Sequence, residues 1–251
     1  MKKVRALILT ITLATTLLLL VACSGSSAAS EDSTVDKSDT TEQTTPETSD
    51  IPSATEAPED SSNSSTSGTG FYVTTSEKLP LKLETPDAWV YVDPTESEKE
   101  KLVGTIGDAG FVEDVMEQVR NSDVVFFYDT ANYSDNFKPN MNILKQGAID
   151  MKQSELSGAA GDIKTASERD FSKAPFEKFS WVAEPQGKKL GSNYYVVFVA
   201  NYTAGVPITG IMAYTIYDGY LYQFTYSITQ DAYTNDIYST YEKVLASVEF
   251  G

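Results

Sequence analysis

The chain has 251 residues, 41% of them hydrophobic and 22% charged, with a formal net charge of −17, one cysteine and no histidine. Disulfides, thiol catalysis and Cys/His metal sites are excluded by that count, and so are a Ser-His-Asp triad and any imidazole general base. The strong acidity argues against nucleic acid and against anionic lipid headgroups as ligands.

The first residues, MKKVRALILTITLATTLLLLVAC, combine a basic start at Lys2, Lys3 and Arg5 with an apolar run over 6–21 and a small residue before Cys23. That is the pattern of a secretory signal. Leu20-Val21-Ala22-Cys23 resembles the bacterial lipobox, in which the cysteine thiol takes a diacylglyceryl group and becomes the new N-terminus after cleavage. The alternative is a spanning anchor, which needs about 20 apolar residues. Threonines interrupt this run, and two acyl chains (palmitate-type lipid) on one residue supply the double signal that stable anchoring requires. Residues 1–22 are therefore read as a lipoprotein signal peptide and Cys23 as the lipidation site, with the mature chain on the outer face of the cytoplasmic membrane.

Residues 23–70 begin with that cysteine and continue as Ser, Thr, Glu, Asp, Pro and Gly, with Lys37 the only basic residue against ten acidic ones. Such a composition cannot bury enough surface to offset backbone ordering, so a disordered, self-repelling tether is expected, spanning on the order of 40 Å or more. A recognition or glycosylation segment at TTEQTTPETS is the other reading. Tethers of this kind resemble those of Gram-positive lipoproteins that reach into a thick wall.

From 71 to 251 the composition is that of one globular domain, with fifteen basic and twenty-six acidic residues, a net of −11. It is too short for a bilobed solute-binding protein. KLPLKLETPDAWVYVDP reads as two short strands joined by a turn at Thr85-Pro86-Asp87, and residues 108–121 as an amphipathic helix with Asp108 as N-cap and Phe111, Val115, Met116 and Val119 inward. DVVFFYD is short and apolar enough for a buried strand. The following DNFKPNMNIL (135–144) places Phe137, Met141 and Ile143 at alternate positions, with Pro139 expected at a strand start or an edge. Residues 147–164 carry a weaker helical pattern that Gly158 and Gly161 are expected to end.

Beyond Phe176 four strands follow, with turns at PQGKKLGS, at Ala204-Gly205 and at Asp218-Gly219, a two-residue hairpin signal. Tyr220, Tyr222, Phe224 and Tyr226 share one face, while Leu221, Ile216 and Met212 occupy the other, which implies a sheet covered on both sides. Residues 234–250 end the chain as a helix carrying Ile237, Tyr241, Val244, Leu245 and Val248, with Asn235 expected as cap. The fold class is α+β, with a central antiparallel sheet.

LKLETPDAW (81–89), FKPNMNI (137–143) and LASVEF (245–250), in this order, resemble the PsbP-like family, whose fold is shared with the Mog-type Ran-binding factors. The resemblance implies an α/β/α sandwich with helices on both faces, in which Asn140 and Asn142 satisfy backbone groups at the sheet entrance. It also implies a non-catalytic binding or assembly factor. Ala88 stands where the family usually has glycine, and without histidine no histidine metal site carries over. No cofactor is implied, and the expected partners are the membrane through acylated Cys23 and an envelope protein or wall component.

Three candidate sites follow from the residues. Tyr217, Tyr220 and Tyr222 beside the hairpin turn form a contact patch if exposed, although aromatic residues in strands commonly line cores. Asp129 and Asp135 are the one acid pair nominated for a wall-glycan hydrolase, which needs two facing carboxylates. Asp129, Asn132 and Asp135 offer oxygen ligands to calcium, though without EF-hand spacing.

Overall fold

The computed structural model describes residues 70–76, 78–92, 96–134 and 136–251. The lipobox, Cys23 and the acidic tether lie outside the described residues, as does Asp135. Among the described residues no helix is long and apolar enough to cross a membrane.

The described residues form a mixed α+β fold of antiparallel sheets and four α-helices. It runs through β1 (Phe71–Thr75), β2 (Leu81–Pro86), β3 (Trp89–Tyr91), α1 (Glu96–Ile106), α2 (Ala109–Asn121), β4 (Val124–Asp129) and β5 (Asn140–Ala148). Then follow α3 (Ala160–Phe171), β6 (Glu177–Leu190), β7 (Asn193–Ala204), β8 (Val206–Tyr217), β9 (Tyr220–Thr229), α4 (Asn235–Ala246) and β10 (Glu249–Phe250). Seven strands form one sheet in the order β3-β4-β5-β9-β8-β7-β6, and β1-β2-β10 form a small second sheet. The two strands predicted around Thr85-Pro86-Asp87 thus exist but belong to different sheets.

Alternation along the strands decides what each face meets. Val125 and Phe127 of β4, Met141 and Ile143 of β5, and Tyr222, Phe224 and Tyr226 of β9 share one buried cluster with Leu81 and Leu83 of β2 and with Tyr241, Val244 and Leu245 of α4. The opposite register supplies two clusters. Val196 and Phe198 of β7 with Met212, Tyr214 and Ile216 of β8 meet Ile163, Ala166 and Phe171 of α3. Val124, Phe126 and Tyr128 of β4 meet Leu102 of α1 and Phe111, Val115, Met116 and Val119 of α2. Helical side chains therefore reach both faces of the large sheet, and its central strands carry apolar residues in both registers.

Asp108 caps α2 as expected, its Oδ1 accepting the Phe111 N–H at 2.9 Å. Several boundaries differ from the sequence reading. Gly158 and Gly161 do not end a helix: a 3-10 turn over Gln153–Ala159 leads into α3, which continues to Phe171. Each glycine costs a helix about 1 kcal/mol, and burial of Leu156, Ile163, Ala166 and Phe171 on the same segment outweighs it. The predicted loop PQGKKLGS is strand as far as Leu190, leaving Gly191-Ser192 as the turn. Register shifts between Ala183 and Gln186 let Pro185 sit in an outermost strand without a ladder hydrogen bond to give. Thr234, not Asn235, caps α4, its Oγ1 accepting from Ile237 N at 3.3 Å.

Phe137 departs from the face of Met141 and Ile143. A tight bridge joins it to Ser134, so alternation does not carry across Pro139, and its ring enters the cluster on the opposite face.

Gly191 and Gly219 both have positive φ, 58° and 74°, but differ in surroundings. A Cβ at Gly191 would lie 2.0 Å from the Ala246 carbonyl oxygen, whereas at Gly219 nothing lies within 4 Å. Gly219→Ala is expected to cost about 1 kcal/mol, the conformational penalty alone, and Gly191→Ala about 2 kcal/mol or more, because the turn must also move off α4. Urea denaturation of the two variants checks the ranking, and equal costs would show that α4 gives way freely.

Candidate functional site

Asp129 is the last residue of β4, paired across the sheet with Trp89 of β3. Its side chain lies on the face that carries Phe127, and it is buried, with 3% exposure. Oδ1 accepts from the Ala131 N–H at 3.1 Å, which starts the 3-10 turn Thr130–Asn132. Oδ2 accepts twice, from the Asn132 Nδ2 amide at 2.7 Å and from the Tyr226 hydroxyl at 2.7 Å. The Tyr226 ring stacks on Trp89 with centroids 5.1 Å apart and planes 8° from parallel. Burial, with the Asp129 charge added, holds the Tyr226 phenol protonated far above the usual tyrosine range. Burial and the same carboxylate raise the Tyr133 phenol as well.

Over Asp129 lies a cavity of about 130 Å³, walled by Trp89 and Tyr226, by Ala131 and Asn132 of the turn, and by Ile237 and Thr240 of α4. Asp135, the partner of Asp129 in both sequence-based uses, lies outside the described residues. Among the described residues no group of three or more His, Cys, Asp or Glu is placed to hold a metal ion. As the nominated general acid or base, Asp129 is committed to three donors of its own fold.

The hairpin tyrosines are not gathered into one exposed patch. Tyr222 is 1% exposed and packs edge-on against Phe250 at 5.0 Å. Tyr217 is half-buried and stacks on the same ring at 4.6 Å, while Tyr220 is half-buried beneath the Lys145 ammonium, 3.9 Å from its ring centre. The short C-terminal strand β10 thus takes up the aromatic face that would have served as a contact surface. A shallow groove of about 770 Å³ runs beside the turn, between Tyr217-Asp218-Gly219 and residues 149–155.

Strand β5 is two-faced. Away from Met141 and Ile143 it carries Asn140, Asn142 and Gln146, and its partner β9 carries Ser227, Thr225 and Gln223, all buried. Asn140 does the expected job, its amide bonding the Lys138 carbonyl at 3.1 Å. Gln146 donates to Gln223 at 2.6 Å and Gln223 to Thr225 at 3.0 Å. The Asn142 Oδ1 is buried with no hydrogen-bond partner, so this asparagine is not the backbone ligand expected of it.

The chain is similar to a cyanobacterial PsbP. Its solution structure, from Synechocystis, superposes with a TM-score of 0.47 at 14% identity, over 76% of this chain and 98% of that one. LpqN of Mycobacterium tuberculosis, involved in cell envelope biogenesis, is similar at a TM-score of 0.43 and 11% identity, over 67% and 81%. PA94 of Pseudomonas aeruginosa, a protein of unknown function, reaches 0.37 at 10% identity, over 70% and 94%. No family model and no curated protein matches the sequence. The PsbP-like likeness read from the sequence has this structural counterpart, and it concerns the fold alone.

Two outcomes are expected from the buried phenols. Tyr226→Phe removes one donor from a buried carboxylate and should lower stability by about 1.5–3 kcal/mol, read as a lower denaturation midpoint with the fold retained. Burial pushes the Tyr222 phenol up to about 12 and raises Tyr195, Tyr214 and Tyr241 as well. The unfolded chain ionises these phenols near pH 10, so native stability is full below about pH 10 and is lost as pH rises towards about 12. Denaturation midpoints measured across that window should fall steadily, and a flat profile would contradict the burial.

Proposed function

We propose that the protein is a non-catalytic binding or assembly module held at the outer face of a bacterial cytoplasmic membrane. Diacylglyceryl Cys23 is the anchor, residues 24–70 are an acidic spacer, and residues 71–251 are a PsbP/Mog-like α/β/α domain displayed above the lipid. Contributions of α1 to α3 and of α4 to clusters on opposite faces of the large sheet support the sandwich.

The observation that carries the reading is the placement of the chain's reactive groups. Its single cysteine closes the lipobox, no histidine is present, and the Asp129 carboxylate is held by Ala131, Asn132 and Tyr226. What the domain offers instead is concave surface, the pocket over Asp129 and the groove beside the hairpin. A tether of the expected reach lets such a surface search for an envelope protein or wall component without leaving the membrane.

The test is membrane retention of the full chain. Wild type expressed in a lipoprotein-processing bacterium should partition into the detergent phase, with its N-terminal peptide carrying a diacylglyceryl mass. Cys23→Ser should retain the signal peptide or be released without lipid. Membrane retention of Cys23→Ser with its signal peptide removed would overturn the anchor.

A further inference from the structure

Two carboxylates are deeply buried among the described residues, Asp129 at 3% and Asp170 at 7% exposure. Asp170 has cations: Arg169 Nε and Lys173 Nζ each lie 3.1 Å from its Oδ1. Asp129 has none. The ion pairs among the described residues do not include it, and its three donors are an amide N–H, an asparagine amide and a phenol. A carboxylate removed from water is costly unless paired, and this one forms the floor of a pocket. We propose that the pocket over Asp129 receives an alkylammonium group, as the lysine side chain of a partner segment or as a free amine.

The chemistry of the walls selects that class. Asp129 is set among the apolar wall residues Pro86, Ala88, Trp89 and Ile237, a combination that suits a cation carrying methylenes, with its charge against the carboxylate and its carbons against the walls. Oδ2 already accepts two hydrogen bonds and Oδ1 one, so a single lone pair remains on Oδ1. One point-like N–H donor satisfies it, whereas a guanidinium fork seeks two free oxygens. Calcium needs six to eight oxygen ligands, and among the lining residues only Asp129, Asn132, Tyr226 and Thr240 bring a side-chain oxygen. The volume of about 130 Å³ equals about four waters, room for an ammonium and a few methylenes. The domain's net charge of −11 favours the approach of a cation.

The inference deepens the reading of the domain as a binding module and rests on it. Membrane retention tests the anchor and amine binding tests the pocket, so the two fail separately.

Trp89 and Trp181 are the only tryptophans, which makes the pocket wall its own reporter. In full chain carrying Trp181→Phe, n-butylammonium chloride titrated against sodium chloride at equal ionic strength should give a saturable change in Trp89 fluorescence. Asp129→Asn should weaken that binding by roughly thirtyfold or more, the fold-change of losing one partner of a buried charge pair. Should Asp129→Asn unfold, Ala131→Lys at the exposed rim supplies a tethered ammonium and should abolish binding with the denaturation midpoint kept or raised. A blocked lysine tripeptide that binds at least tenfold tighter than butylammonium identifies a polypeptide source; equal or weaker binding identifies a free amine. No saturable change, undiminished binding in both variants, or a response to calcium chloride alone would overturn the proposal.

Discussion

The pairing of β5 with β9 holds the large sheet together, because among the described strands it is the pairing that joins β3 and β4, built early in the chain, to the successive hairpins of β6 to β9. It closes a long loop, and such contacts form only after the loop-closure entropy has been met. The seam is fastened by side chains far apart in sequence. Tyr226 reaches Asp129 across 97 residues, and Gln146 reaches Gln223 across 77. Between them, Met141 and Ile143 bury against Tyr226 and Phe224 on one face, while Asn142 and Thr225 meet on the other. A one-residue slip would turn the amides into the apolar cluster and Met141 out of it, so the two-faced pattern sets the register.

Local chemistry was the most legible part of the fold. Asp108 as cap of α2, the buried run of β4, the Asp218-Gly219 turn and the opposite facing of Tyr222 and Leu221 each depend on neighbours within a few residues. What the sequence hid depends on distance. Pro185 looked like a loop residue until the outermost position of β6 supplied a place that asks for no donor. Gly158 and Gly161 looked like terminators because their cost is local, while the burial of Ile163 and Phe171 that offsets it is tertiary.

The site follows the same division. In the sequence Asp129 stands out only as an acid at the end of a buried run, to be paired with Asp135 or shared with Asn132. Its partner Tyr226 lies in a strand read only for its aromatic face, and no local signal links the two. Tyr222 was nominated beside a turn, yet Phe250 covers it through a two-residue strand at the far end of the chain. Trp89 and α4's Thr240, which complete the pocket over Asp129, carry no chemical signature of their own. Their role is set by the sheet and by the helix laid across it.

Among the described residues, strand β6 ends the large sheet with fourteen residues, most of them exposed. An outer strand of that length would ordinarily template pairing between copies. Its three register shifts break the run of backbone donors and acceptors into short pieces, and Pro185 removes one donor. Wherever copies of the domain meet, β6 therefore offers a broken border, poorly matched to the continuous pairing that a straight edge would template.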